Sequence, residues 1–167
     1  LDMLSREGPA LAVGDLNMDG LKDVFVGGAK NKPSSVLYQR PNGFTTIELM
    51  SEKIFEDVEA AIEDFNGDGW LDVFLPNATA DQLFMGAADG TWTDQSAVRL
   101  PVVDDKAAGA TPVDVDDDGD IDIFVSIMNA PNRLLINDGS GHFSLSSALF
   151  LRIRVWFKIN SYLLGVK

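Results

Sequence analysis

One nine-residue acidic pattern occurs three times in this chain, and it constrains the possible folds more than any other feature. The copies are Asp15-Leu16-Asn17-Met18-Asp19-Gly20-Leu21-Lys22-Asp23, Asp64-Phe65-Asn66-Gly67-Asp68-Gly69-Trp70-Leu71-Asp72 and Asp114-Val115-Asp116-Asp117-Asp118-Gly119-Asp120-Ile121-Asp122. All read D-x-[DN]-x-D-G-x-x-D, and their first aspartates lie 49 and 50 residues apart. A fixed period in this range marks an architecture made by stacking one supersecondary unit on its neighbours.

The likeness continues on both sides of each loop. Small-residue stretches precede them: Leu11-Ala12-Val13, Ala60-Ala61-Ile62 and Ala110-Thr111. Short apolar runs follow at once, Val24-Phe25-Val26, Val73-Phe74-Leu75 and Ile123-Phe124-Val125, as expected of strands buried on both faces. Next come Val36-Leu37-Tyr38, Gln82-Leu83-Phe84-Met85 and Arg133-Leu134-Leu135-Ile136. A glycine turn and an aromatic close each unit, at Gly43-Phe44, Gly90-Thr91-Trp92 and Gly141-His142-Phe143. The prediction is an all-β chain of three consecutive four-stranded antiparallel sheets. A lone sheet of this kind cannot cover both apolar faces, so the sheets should stack face to face and radially, as propeller blades. Phe25, Phe74 and Phe124 are then expected in the core between blades.

Two local features pull against this pattern. Ile54, Phe55, Val58, Ala61, Ile62 and Phe65 have helical spacing, but register with the other repeats favours a strand at the end of residues 52–63. Pro112 cannot donate to a ladder and is expected at a strand end. Glu56, Asp57, Glu59 and Glu63 read most simply as a solvated acidic face.

The chain carries 26 acidic and 13 basic residues, a net charge of −13, and residues 46% hydrophobic, enough for a core. Nucleic acid and anionic membranes would be repelled. No run of about 18 apolar residues suggests a transmembrane helix. Without cysteine there are no disulfides or thiolate sites. Much of the acidic surplus lies in the loops, where it needs neutralising. Calcium takes six to eight hard oxygen ligands at about 2.3–2.6 Å. Alternate residues of a tight loop can supply them: side chains of Asp15, Asn17, Asp19 and Asp23; of Asp64, Asn66, Asp68 and Asp72; and of Asp114, Asp116, Asp118 and Asp122. The seventh position, at Leu21, Trp70 and Asp120, can add its carbonyl. One calcium ion per repeat, about three in all, follows. The helix-flanked calcium hand would need a bidentate Glu at position twelve, where Val26, Leu75 and Val125 stand. Zinc lacks nitrogen and sulfur donors, since His142 is the single histidine.

These loops, with Ala12-Val13-Gly14-Asp15, Val24-Phe25-Val26-Gly27-Gly28 and Asn132-Arg133-Leu134-Leu135-Ile136-Asn137-Asp138-Gly139, make residues 10–147 resemble the FG-GAP/VCBS repeats of integrin-α-like propellers and cartilage-acidic-protein-like surface proteins. The resemblance implies one blade per repeat, structural calcium in a loop between two strands, and ligands on exposed loops. Such propellers often have about seven blades, so three imply an incomplete one, with residues 10–50, 51–99 and 100–147 as blades. Residues 1–9 would end a preceding blade or linker. Residues 148–167 alternate Leu151, Ile153, Val155, Phe157 and Ile159 with a largely basic face and no acidic loop. They read as an atypical tail, either a covering strand or, as we favour, non-native sequence.

The functional expectation is an extracellular, secreted or cell-surface module for protein or glycan binding and adhesion. Millimolar calcium there would fill even weak sites. Asn77-Ala78-Thr79 is a glycosylation sequon compatible with that setting. The alternative is an accessory propeller portion of a secreted polysaccharide- or lipid-acting enzyme, and a third reading is a structural spacer. No catalytic residue set is expected from the repeat. Trp70 and Trp92 could stack on sugar rings, but packing is the simpler role.

Overall fold

A computed structural model describes residues 9–49, 56–57 and 59–146. The expectations for residues 1–8 and for the tail at 148–167, and most of the helically spaced stretch at 52–58, lie outside these residues.

Within them the chain forms three four-stranded sheets, each a simple meander in sequence order. The first comprises β1 (Leu11–Gly14), β2 (Asp23–Val26), β3 (Ser35–Arg40) and β4 (Gly43–Glu48). The second holds β5 (Ala61–Glu63), β6 (Asp72–Leu75), β7 (Gln82–Gly86) and β8 (Trp92–Asp94). The third holds β9 (Ala107–Val113), β10 (Asp122–Ile127), β11 (Arg133–Asn137) and β12 (Phe143–Leu145). All pairs are antiparallel, and each acidic loop spans the first and second strands of its sheet. Closure into a ring is not observed among the described residues. The three sheets have the layout of successive blades.

Register explains the stacking. Phe25 stands opposite Ala12 and Val36, whereas Val24 and Val26 point to the other face. Phe25, Val36 and Tyr38 pack on Val73, Leu75 and Phe84 of the second sheet. The same arrangement recurs one step on, where Phe74 and Leu83 meet Ile123, Val125 and Leu135. The middle sheet is therefore covered on both sides, and all four residues of β6 are buried. The outer sheets are not. Leu11 and Val13 on the first are 66% and 67% exposed. Phe124 does not lie between blades, contrary to expectation. It is half-buried on the far face of the third sheet, against Val113, Val115 and Leu134. A repeated residue type takes a repeated role only where a neighbouring sheet covers it.

The stretch ending in β5 is a strand at its end, as the register of the repeats predicts. Pro112 pairs with Ile123 one residue before the end of β9, an edge strand whose outer side needs no donor. A short helix, α1 (Ser96–Arg99), which the repeat pattern does not predict, links the second sheet to the third.

The acidic stretch before β5 departs furthest from expectation. Asp57 is fully buried, not solvated. Its carboxylate accepts hydrogen bonds from Gly28 N at 2.8 Å and Ser34 Oγ at 2.5 Å. Its backbone pairs with Ala10 and Gly28. Gly28 is required here, because a Cβ would collide with the carbonyls of Lys32 and Pro33. Glu59 accepts from Ala110 N at 3.1 Å. These acids thus fasten one sheet to the next. A buried ion pair does the same between the second and third sheets: Arg133 lies 2.6 Å from Asp81 and 2.9 Å from Asp105. Asn77 of the sequon is buried at this junction, where its carbonyl accepts from Ala107 N. A glycan there would have to displace native packing, so the sequon does not mark a surface site.

Candidate metal centres

Each acidic loop adopts one backbone design. The glycine at position six has a left-handed conformation every time: Gly20 at φ 85°, Gly69 at 90° and Gly119 at 99°. Position four is also left-handed, at Met18 (58°), Gly67 (70°) and Asp117 (65°). Non-glycine residues resist this region because Cβ crowds the following carbonyl. The nine-residue pattern leaves position four unspecified, so only the folded loop reveals the demand. A Cβ on Gly69 would meet no atom within 4 Å, which isolates the conformational cost. Gly69→Ala should therefore destabilise the protein by about 1–2 kcal/mol, readable as a lower urea midpoint with unchanged slope.

Asx-type hydrogen bonds hold the loops in shape. Asp15 accepts from Asp19 N and Gly20 N at 3.0 and 2.8 Å, and Asp64 accepts from Asp68 N and Gly69 N at 3.1 and 2.8 Å. Asn17 and Asn66 accept from the same position-five amides, each at 3.0 Å. The position-five carboxylate accepts from the position-seven amide in all three loops, at Leu21, Trp70 and Asp120. Those residues thus turn their N–H groups inward to the loop.

The ninth aspartate has a role that the pattern does not disclose. Asp23, Asp72 and Asp122 are fully buried. One oxygen of each accepts from the amide at position two: Leu16, Phe65 and Val115, all at 2.9 Å. The other accepts from the third strand, at Gln39 (2.8 Å), Gly86 (3.0 Å) and Asn137 (2.9 Å). Each therefore pins its loop to the sheet through backbone hydrogen bonds.

Carboxylates gather most closely in the third loop. Ligand oxygens of Asp114, Asp116 and Asp122 lie within 4.8 Å of one another, a group that could hold a metal ion. Asp118 and Asp120 are outside that group. Burial, only partly offset by hydrogen bonds from Val115 and Asn137, raises the Asp122 pKa, and Asp116 and Asp118 push it further up. Burial together with Asp118 also raises that of Asp116. In the second loop burial lifts Asp72 to about 7, with Asp68 and Asp64 adding to the rise. An all-oxygen donor set of crowded carboxylates suits a hard divalent cation. In the first loop Asp19 lies 2.7 Å from Arg40, an exposed pair that competes for its charge.

No catalytic set appears among the described residues. Asp138, Ser140 and His142 do meet in one turn, with Ser140 Oγ 2.7 Å from Asp138 and 3.0 Å from His142 Nδ1. The order is wrong for nucleophilic catalysis, which needs the imidazole between carboxylate and hydroxyl. Here the carboxylate accepts from the hydroxyl itself, and all three side chains are exposed. Trp92 packs on the core and donates through Nε1 to Tyr38 at 2.8 Å, so its ring serves packing. Among the described residues no helix is long and apolar enough to cross a membrane.

No curated protein matches the chain. Residues 64–125, from the first aspartate of the second loop into β10 and so through the third loop, match the family model described as FG-GAP-like repeat.

Proposed function

We propose that this chain is a calcium-dependent binding or adhesion module of the propeller type, in which the cation is structural and partners dock on exposed loops. The observation that carries the proposal is the approach of Asp114, Asp116 and Asp122 to within 4.8 Å, at a loop whose design is repeated twice more. In the first and second loops the corresponding donors are Asp15, Asn17 and Asp23, and Asp64, Asn66 and Asp72. Asp19, Asp68 and Asp118 at position five, with the carbonyls of Leu21, Trp70 and Asp120, would complete the three shells. Binding calcium relieves the repulsion among these acids, so binding and folding are coupled. The setting that keeps such sites filled is extracellular, where calcium is millimolar, and the partners are protein or glycan. The incomplete propeller, of about seven blades when whole, supplies a rigid frame for the loops between strands.

Isothermal titration of the metal-free chain with calcium should give close to three ions bound, and magnesium should bind far more weakly. No heat and no uptake, or equal preference for magnesium, would defeat the proposal.

A further inference from the structure

We propose that the second and third loops bind calcium cooperatively, and that Asn137 is the residue that couples them. The inference rests on the calcium reading above. Asn137 lies at the end of β11 and is buried, 3% exposed. Its backbone N–H donates to Asp122, the closing aspartate of the third loop, at 2.9 Å. Its side-chain Nδ2 donates to the carbonyl of Ile121 in the same loop at 3.1 Å. That nitrogen also donates across the blade junction to the carbonyl of Phe65, in the second loop, at 2.7 Å. Phe65 in turn donates its N–H to Asp72, the closing aspartate of the second loop, at 2.9 Å. A continuous buried hydrogen-bonded path therefore joins the two closing aspartates.

The Asn137 side chain is held rigidly. Its oxygen accepts from Gly139 N at 3.2 Å and Gly141 N at 3.0 Å, so both amide hydrogens and both lone pairs are used. Drawing Asp122 onto an ion shifts the Asn137 N–H that it accepts from, and the rigid Asn137 passes that shift to Phe65, whose own N–H holds Asp72. The second ion then finds its closing aspartate already placed, which is positive coupling.

The repeat carries its own control. The residues whose N–H reaches the closing aspartate from the third strand are Gln39, Gly86 and Asn137. In the second sheet this position is Gly86, which has no side chain to extend toward the first loop, and a Cβ there would collide with the Leu71 carbonyl. The first loop should thus bind independently of the second.

The backbone amides of Gly20, Gly69 and Gly119, one per loop, give separate calcium affinities in an NMR titration of the full chain. Disabling the third loop with Asp114→Asn should weaken binding at Gly69 by about fivefold or more, the usual lower range of such coupling. Disabling the first loop with Asp15→Asn should leave Gly69 unchanged. In Asn137→Ala the effect of Asp114→Asn on Gly69 should vanish while both loops still bind. Equal Gly69 affinity with and without Asp114→Asn overturns the coupling, as does coupling that persists in Asn137→Ala. If Asn137→Ala does not fold, the comparison of Asp114→Asn with Asp15→Asn still decides. Uptake at all three glycines with no cross-effect sinks the coupling alone, whereas no uptake at any sinks the calcium reading with it.

Discussion

Removing calcium should lower the melting temperature by on the order of 20 °C. A ligand present at about a hundred times its dissociation constant stabilises the native state by about 2.7 kcal/mol per site. Three such sites in a chain of this size shift the midpoint by about 2–4 °C per kcal/mol. Differential scanning calorimetry in millimolar calcium and in excess chelator measures the difference directly, and coincident midpoints would rule out structural calcium. The pH dependence has a definite sign. Asp72 is raised from 3.8 to about 7, chiefly by burial. A group raised on folding contributes stability that is fully present below its unfolded pKa and is lost as pH rises through its folded one. The metal-free protein should therefore melt higher at about pH 5 than at about pH 8. Calcium binds the ionised form, so it should flatten or reverse that slope. A metal-free protein that gains stability toward pH 8 would contradict the burial argument.

Asp23→Ala should destabilise the protein by about 2–5 kcal/mol even in chelator, because it orphans two buried donors. Those donors are Leu16 N and Gln39 N, held at 2.9 and 2.8 Å by a fully buried carboxylate. Asp15→Ala removes an acceptor from exposed loop amides that water can satisfy. Its cost in chelator should be below about 1 kcal/mol, and its effect should appear as lost stabilisation by calcium. Denaturant melts of both variants, each with and without calcium, separate the two roles. If Asp23→Ala were harmless in chelator, the closing aspartate would be a ligand only, and its pinning role would be wrong.

This division within one motif shows where reading residues in order stops. Positions one, three, five and nine look alike as acids or amides, and their spacing supports one shared role. In the fold, position nine enters the sheet and bonds to backbone from another strand, while the side chains of positions one, three and five stay at or near the surface. Asp57 makes the same point in a local sequence of Glu and Asp that suggests a solvated face. Its partner Ser34 is 23 residues away, so no local pattern could announce it. Asn137 stood in a recognisable Asn-Asp-Gly turn, but its contact with Phe65 spans 72 residues.

Sequence by itself determined the repeat, the number of strands in each sheet, their antiparallel order and the acidic loops with their glycines. Those follow from periodicity and backbone preference, which act over a few residues. Tertiary structure alone decided which acids are buried, which phenylalanine lacks a covering sheet, and which loop communicates with its neighbour. Those depend on desolvation and on hydrogen bonds between sheets, and both exist only once distant strands have come together.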